Sequence, residues 1–160
     1  MTASTNKKVV IWRFEREPVA GLVNPRAYLS AGGVEVLTQA GAVAVLPFAE
    51  VKVVCFVRDF GPSELPAGQR VFQARPKTEG LWVRMRFLDG DILEGLLPNN
   101  LLHLEPYGFT VTPPNPTSTN QRMFVPRSAL SEFQVLGVVG SPLRPRRRKP
   151  VSKTQLEMFE

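Results

Sequence analysis

The stretch RFLDGDILEGLL (Arg86–Leu97) carries the signals of two short β-strands and the turn that joins them. In the strand that leads into it, Leu81–Leu88, Trp82, Arg84 and Arg86 alternate with Val83, Met85 and Phe87, as in a strand with one buried face. Asp89-Gly90 then predicts a hairpin with a type I′ turn, in which both central residues have positive φ. The returning strand is predicted at Ile92–Leu97. The middle of the chain is therefore predicted to be an antiparallel hairpin.

Short apolar runs without helical periodicity continue on both sides of this hairpin, and 15 prolines and 12 glycines separate them. VKVVCFV (Val51–Val57) is apolar enough for a strand covered on both faces, apart from one lysine. The fold is predicted to be all-β. The other predicted strands are Lys8–Phe14, Val19–Val23, Val34–Leu37, Ala42–Phe48, Gly108–Val111, Arg122–Val125 and Phe133–Val139.

Residues 1–57 and 81–140 share a pattern that runs in the same order. Three matches carry it: Arg13-Phe14 with Arg86-Phe87, Val19–Val23 with Leu93–Leu97, and Leu46-Pro47 with Val125-Pro126. The pattern predicts two tandem five-stranded small barrels, with Gly21 and Gly95 where the second strand of each must bend sharply. Residues 58–80 are predicted to form an ordered connector between the barrels, and 141–160 a disordered basic tail.

Charge and composition narrow the class of protein. The 160 residues carry a net charge of +6, and +4 of it lies in 141–160, so the predicted barrels are close to neutral. That distribution argues against a nucleic-acid platform in the folded part. No apolar run approaches the roughly 20 residues of a transmembrane helix, and MTASTNKK at the start lacks the apolar core of a signal peptide. With one cysteine, the chain is expected to be cytoplasmic and not attached to a membrane.

Few residues could carry covalent chemistry. His103 is the single histidine and Cys55 the single cysteine, and Cys55 is interpreted as a buried small apolar residue. A structural zinc site needs three or four convergent ligands, and no phosphate-binding glycine loop is present, so no metal and no cofactor are expected. Asp89, Asp91 and Glu94 are interpreted as solvated turn residues. The sequence therefore predicts a protein that is not an enzyme.

Three segments resemble an uncharacterised bacterial domain family. They are FVRDFGP (Phe56–Pro62), VRMRFLDGDILEG (Val83–Gly95) and GFTVTPPNPTSTNQRMFVP (Gly108–Pro126), and the resemblance covers roughly residues 8 to 140. That family often accompanies response-regulator receivers and contains Sm-like or SH3-like small barrels. It has no established activity, so the resemblance assigns no residue a role. Asp89–Leu96 is also similar to the first motif of Sm proteins, but the second Sm motif has no counterpart near Phe124–Leu130.

The last residues of the chain resemble a second known pattern. QLEMF (Gln155–Phe159) is similar to the pentapeptide Gln-Leu-Ser/Asp-Leu-Phe by which bacterial proteins bind the replication sliding clamp, although Glu157 and Met158 depart from it. The resemblance implies that Gln155 forms a hydrogen bond in one pocket while Leu156, Met158 and Phe159 fill another.

The sequence thus predicts a regulatory interaction or adaptor module of the bacterial cytoplasm that binds a protein partner, and it leaves the oligomeric state open. Two contact surfaces are predicted: the polar loop with Tyr107, Asn115, Asn120 and Arg122, and the tail. One alternative is an RNA- or DNA-binding protein, because cations that neutralise phosphates release counterions. The other is docking on the sliding clamp. The tail cations concerned are Arg144, Arg146, Arg147, Arg148, Lys149 and Lys153.

Overall fold

A computed structural model describes residues 6–60, 69–100, 102, 104–114 and 122–140, with the side chains of residues 69 and 70 excepted. It confirms the all-β prediction. The described strands are β1 (Lys7–Arg13), β2 (Arg16–Val23), β3 (Leu29–Ser30), β4 (Gly33–Thr38), β5 (Val43–Leu46), β6 (Val51–Phe56), β7 (Gln69–Arg70), β8 (Gly80–Phe87), β9 (Ile92–Leu97), β10 (Gly108–Val111), β11 (Arg122–Pro126) and β12 (Leu130–Val139). Two 3₁₀ turns, Phe48–Glu50 and Arg127–Ala129, precede β6 and β12.

The strands form two sheets. The larger is a curled half-barrel of eight strands in the order β10-β11-β6-β1-β2-β4-β3, with β5 also paired to β4. The smaller has the order β12-β8-β9-β7. Pairing is antiparallel except between β7 and β9, where the connector adds a short parallel strand at the edge. Within the described residues, no helix is long and apolar enough to cross a membrane.

Two sets of five strands have the same internal pairing. We call β1, β2, β4, β5 and β6 the first set, and β8, β9, β10, β11 and β12 the second set. In each set the first strand pairs with the second and the fifth, and the third pairs with the fourth. The second and third strands meet as β2 with β4 and through the bridge between Leu96 and Thr112. Pro47 and Pro126 lead into the 3₁₀ turns with the same ψ of 142°.

Glycines occupy equivalent places where the strands of each set approach closely. A Cβ on Gly21 would lie 2.4 Å from the Leu37 carbonyl oxygen, and one on Gly95 would lie 2.9 Å from the Val111 Cβ. Such contacts leave no room for a larger residue, because real Cβ atoms are not found at these distances. The two predicted bend positions are therefore the points at which the second strand passes against the third.

The registers correct one of the three sequence matches. Val9 lies opposite Gly21, and Val83 lies opposite Gly95. Arg13 therefore occupies the place of Phe87, and the match of Arg13-Phe14 with Arg86-Phe87 is wrong by one residue. The reason is the pleat of the strand: a shift of one residue would turn the buried face of β8, which includes Val83, toward solvent.

The two sets are joined by a strand pair that the sequence did not predict. β11 of the second set pairs antiparallel with β6 of the first, with Arg122 opposite Phe56, Met123 opposite Cys55 and Phe124 opposite Val54. β10 and β11 consequently lie in the larger sheet, so strand pairing crosses the predicted division between residues 57 and 81. Folding of 1–57 and 81–140 as separate barrels remains a prediction.

Apolar side chains form two core clusters, and β6 contributes to both. One cluster lies mainly within the first set and receives Phe124 from β11. The other lies mainly within the second set and receives Val10 and the opposite face of β6. The first cluster takes Val51, Val54 and Phe56 from β6. The second takes Val53 and Cys55 from β6 and Val57 from just beyond its end.

The predicted hairpin joins β8 to β9, but its turn differs from the predicted type. Gly90 has a φ of 96°, whereas Glu15 is the only non-glycine among the described residues with positive φ. Asp89 is thus not in the left-handed region, and type I′ is wrong. Gly90 donates a backbone hydrogen bond to the Phe87 carbonyl, and Phe87 donates one to Asp91. A three-residue loop with a single positive-φ glycine is a common hairpin alternative.

Candidate functional site

Two of the predicted loop contacts, Tyr107 and Arg122, lie where the two strand sets meet. The Tyr107 ring stacks on Phe48 of the first 3₁₀ turn, with ring centroids 5.2 Å apart. Arg122 begins β11, and its guanidinium carbon lies 5.1 Å from the centroid of the Phe56 ring in β6. Both side chains belong to the second set and rest on a ring of the first. The strand pair β6–β11 thus brings these two predicted residues to the same joint.

Residues of both sets line a groove at this joint, which we call the junction groove. Its cavity of ≈ 240 Å³ is lined by Pro25, Tyr28, Phe56, Pro98, Glu105, Thr110 and Arg122. A neighbouring cavity of ≈ 340 Å³ shares Pro25, Tyr28 and Glu105 with it, and adds Arg26, Leu29, Pro106 and Tyr107. The shared residues make one wall of both cavities, so Arg122 and Tyr107 lie in adjacent parts of one surface.

Tyr28 forms the floor between these cavities. It is buried, and its ring makes edge contacts with Phe56 and Phe124, at centroid distances of 5.6 and 6.0 Å. Burial raises the pKa of the Tyr28 phenol well above its ordinary value, and the Glu105 carboxylate raises it further, while Arg122 acts in the opposite direction. The phenol therefore stays protonated at neutral pH and can act as a hydrogen-bond donor.

The two cavities are bordered by three charged side chains: Glu105 borders both, Arg122 borders the first and Arg26 the second. Neither Glu105 nor Arg122 forms an ion pair with another residue that the structure describes. A guanidinium held over a ring offers its donors in a fixed plane, which suits a carboxylate. Proline and aromatic walls suit apolar side chains. The groove can thus hold a charged group beside an apolar one.

The remaining predicted contacts lie outside the described residues. Asn115 and Asn120 are among them, as is the whole tail, and His103, for which no contact was predicted, also lies outside the described residues. Their predicted roles remain predictions. The tail residues concerned are Arg144, Arg146, Arg147, Arg148, Lys149, Lys153, Gln155, Leu156, Met158 and Phe159.

Asp89 and Asp91 were predicted to be solvated turn residues, but both are bound to a lysine of the first set. Both carboxylates accept a hydrogen bond from Lys52 Nζ, at 2.6 and 2.5 Å. The Lys52 side chain is only 8% exposed, and its Nζ lies 5.2 Å from the centroid of the Phe87 ring. A cation of the first set is therefore enclosed by the hairpin of the second.

The contacts between Lys52 and the two carboxylates shift the pKa values of Lys52 and Asp89. Burial acts to lower the pKa of Lys52, but the two carboxylates raise it by more, so it lies above the ordinary value. Burial acts to raise the pKa of Asp89, but the Lys52 ammonium lowers it by more. Lys52 and Asp89 therefore stay charged at neutral pH. The sequence held a signal for this contact, because the lone lysine in VKVVCFV needs a carboxylate partner if both faces of the strand are covered.

Glu94 is also bound within the protein, and its interpretation as a solvated residue is wrong. It is 1% exposed and accepts hydrogen bonds from Trp82 Nε1, from Arg84 Nε and Nη2, and from the Phe72 backbone N–H. Burial acts to raise the pKa of Glu94, but these bonds, first that from Phe72, hold it below its ordinary value. Glu94 thus fastens the connector to β8 and β9. Nothing in the local pattern distinguishes it from an exposed strand residue.

A further cavity, of ≈ 390 Å³, lies between the connector and the end of β10. Connector residues 71–78 line it together with Leu96, Thr112, Pro113 and Pro114. The Arg75 guanidinium donates to the Val138 carbonyl at 3.0 Å, which ties this segment to β12. Two prolines of the predicted contact loop, Pro113 and Pro114, therefore border a second concave surface.

Cys55 and the carboxylates of the hairpin are held within the protein. Cys55 is buried in β6, in agreement with its interpretation as an apolar core residue. Within the described part of the chain, no group of three or more His, Cys, Asp or Glu residues could hold a metal ion. The carboxylates of Asp89 and Asp91 are both bound to Lys52. The junction groove is thus the described surface best suited to a ligand.

Comparison with known proteins finds one family. The model of a family of unknown function (DUF6982) matches residues 5–137, which include every strand from β1 to β11 and most of β12. The match agrees with the resemblance to an uncharacterised domain family. No curated protein matches the chain, and no solved structure does.

Proposed function

The chain belongs to this family of unknown function, and we propose that it is a non-catalytic interaction module that binds an extended segment of a protein partner in the junction groove. The observation that carries the proposal is Arg122, held 5.1 Å from the Phe56 ring and without an ion-pair partner among the described residues. It lies at the joint of the two strand sets, where both contribute to a concave surface.

The chemistry of the groove favours a protein segment over a nucleic-acid strand. Glu105 borders both cavities, whereas Arg122 and Arg26 border one each, so a phosphate backbone running through both cavities would meet the repulsion of the Glu105 carboxylate. The backbone of a peptide is uncharged and meets no such repulsion. A peptide can place a carboxylate on Arg122 and an apolar side chain against Leu29 and Tyr107 in the neighbouring cavity.

Selection of peptides on the immobilised full-length chain tests this proposal. Peptides selected from a random displayed library should share an acidic residue next to an apolar one. Arg122→Ala should weaken the binding of a selected peptide by about tenfold or more, because a charge-assisted bidentate contact is worth about 1.5–3 kcal/mol. Fluorescence polarisation with the labelled peptide measures the change.

Two further variants make the test specific. Tyr107→Ala should also weaken the peptide, because it removes one wall of the neighbouring cavity. Arg86→Ala is the matched control, since Arg86 is exposed on β8 and faces Glu132. Peptides that bind Arg122→Ala and Tyr107→Ala as tightly as the wild type would refute the groove as the site.

We propose that this module acts in regulation in the bacterial cytoplasm. We also propose that its two strand sets are small barrels of the Sm-like or SH3-like kind that the sequence resembles. The shared pairing of the two strand sets, with a 3₁₀ turn before each fifth strand, supports that likeness. Cleavage of the chain between the sets would test whether each half folds as a barrel alone.

The tail alternatives are tested separately, because they place recognition outside the groove. A version ending at Gly140 should retain a partner bound by the groove. If the tail binds nucleic acid, retention on RNA or DNA falls steeply with salt and disappears in the shortened version. If the tail docks on the sliding clamp, Leu156→Ala with Phe159→Ala abolishes the complex, while Arg122→Ala leaves it intact.

A further inference from the structure

The joint between the two strand sets has a geometry that two copies of the chain can repeat. β6 is the fifth strand of the first set, and β11 is the fourth strand of the second. They pair antiparallel over residues 54–56 and 122–124. The joint is therefore made between a fourth strand and a fifth strand from two different sets.

Each chain also has one fourth strand and one fifth strand that take no part in this joint. β5 is the fourth strand of the first set, and β12 is the fifth strand of the second. Among the described residues β5 pairs only with β4, and β12 pairs only with β8. Among the described residues, the outer edges of β5 and of residues 133–135 of β12 therefore have no strand partner and present backbone groups to which another strand can bond. Further along β12, the Val138 carbonyl accepts a hydrogen bond from Arg75.

The correspondence between the sets fixes how these edges would pair. Leu46 and Val125 are equivalent because each precedes the proline of a 3₁₀ turn, and Val51 and Leu130 are equivalent because each follows that turn. Residues 43–45 thus correspond to 122–124, and residues 133–135 correspond to 54–56. A copied joint would place Val43 opposite Val135, Ala44 opposite Gln134, and Val45 opposite Phe133.

The side chains that this register brings together include three exposed valines. Val43 is 67% exposed, Val45 49% and Val135 56%. The sequence of β5, VAVL, contains none of the charged residues, glycines or prolines that commonly prevent an edge strand from pairing. Pairing would remove these apolar groups from water, as the joint inside the chain does for Val54 and Phe124.

We propose that the chain assembles head to tail with further copies of itself, the outer edge of β5 in one copy pairing with the outer edge of β12 in the next. The register is that of the β6–β11 joint. Such an interface is heterologous, because each copy uses two different surfaces. It therefore produces a closed ring or an open chain of subunits rather than a dimer that ends with two copies.

Two single substitutions test this arrangement in the full-length chain. Val43→Lys blocks the β5 edge, and Val135→Lys blocks the β12 edge. Sedimentation across a concentration series should show the wild type growing from 17.8 kDa to larger species. Each variant should need a concentration about tenfold higher or more, since the burial of one valine is worth about a decade in an association constant.

Mixing the two variants distinguishes this interface from its alternatives. Each variant keeps one intact edge, so an equal mixture should form complexes of two chains and stop there. If β5 paired with itself, Val135→Lys alone would still assemble, and the proposal would be wrong. It would also be wrong if the wild type remained at 17.8 kDa throughout, or if neither substitution changed assembly. Both residues are exposed, and thermal melting of each variant verifies that it is folded.

Cross-linking tests the register. Residues directly opposite in an antiparallel pair have Cα atoms about 4.5–5.5 Å apart, within the range that a disulfide spans. The double variant Val43→Cys with Val135→Cys should give covalent multimers on mild oxidation. Val43→Cys with Val138→Cys is the matched control, because Val138 is also exposed but lies three residues further along β12. Equal cross-linking of both pairs, or of the control alone, would overturn the assigned register.

Discussion

β6 and β12 occupy the same place in their sets, yet their surroundings are opposite. Each follows a proline and a 3₁₀ turn, each pairs with the first strand of its set, and each has an extra residue, Lys52 or Ser131, at its second position. All six residues of β6 are buried, whereas only Val139 is buried among the ten residues of β12. The difference is that β6 has strands on both edges, and β12 has a described partner on one.

The comparison shows that a strand's neighbours, more than its position within its own unit, determine how much of it is buried. The two sequences reflect this. VKVVCF is apolar at every position but one, while LSEFQVLGVV includes Ser131, Glu132 and Gln134. Sequence and environment agree because a residue covered on both faces of a sheet has no access to water.

The largest expected difference comes from placing the same charge at equivalent positions of the two strands. Cys55→Asp should unfold the chain, or cost more than about 3 kcal/mol, because it buries an unpaired carboxylate between β1 and β11. Gln134→Asp should change the free energy of unfolding by less than about 0.5 kcal/mol, because Gln134 is exposed. Urea unfolding measures both. Similar losses in the two variants would mean that the strands are equally buried in solution.

Removal of the Glu94 charge should have the next largest effect, and it acts on the second set and on the connector. Glu94→Gln weakens the bonds from Arg84 and should cost about 2–3 kcal/mol, because hydrogen bonds to charged groups are worth about 1.5–3 kcal/mol each. Hydrogen exchange of the Phe72 amide should become faster, since its acceptor is now neutral. Glu132→Gln, on an exposed side chain, is the control. Unchanged exchange at Phe72 would show that Glu94 does not hold the connector.

The extra residues of the two fifth strands give a matched pair with a smaller effect. Lys52→Ala should lower the free energy of unfolding by about 1–2 kcal/mol, because Asp89 and Asp91 lose their cation but regain water at the surface. Ser131→Ala should cost less than about 1 kcal/mol, since its hydroxyl makes only long bonds to Arg86 and Phe87 carbonyls. Thermal melting compares the two, and an equal cost would contradict a special role for Lys52.

The smallest expected effect is on the acid side of the stability profile. Burial acts to raise the pKa of Asp89, but Lys52 holds it below its ordinary value. The stability that the Asp89–Lys52 contact provides is therefore present above the unfolded pKa and is lost as pH falls through the folded pKa. Lys52→Ala removes the partner, and stability should then fall less steeply below a pH of about 4 than in the Ser131→Ala control. If the free energy of unfolding fell equally steeply with decreasing pH in the two variants, the Asp89–Lys52 contact would not form in solution.

Local pattern predicted most of the strands, because most of them are short, apolar and bounded by glycine or proline. All ten predicted strands exist, and the ends of β9 and β10 are as predicted. β3 was missed, since two residues carry no periodicity. An edge strand was considered within the connector, but the residues of β7 were not specified. The hairpin was predicted from Asp89-Gly90, but its turn type was not, because a glycine at one positive-φ position permits more than one loop.

Contacts between distant segments could not be predicted in the same way. The pairing of β6 with β11 joins residues almost seventy positions apart, and neither strand alone specifies its partner. The hydrogen bonds of Glu94 and the enclosure of Lys52 depend on that same assembly of segments. For the candidate site, Tyr107 and Arg122 were singled out from the loop, but Tyr28 and Glu105, which complete the groove with them, lack a motif of their own.

The alternation of β6 between two cores has a consequence for how the molecule comes apart. Val53 and Cys55 of β6, with Val57 just beyond it, fill one core, while Val51, Val54 and Phe56 fill the other. Neither core can unfold without exposing one face of β6, whose other face is packed in the second core. The two cores should therefore unfold cooperatively, because the same backbone segment belongs to both and does not act as a hinge between independent halves.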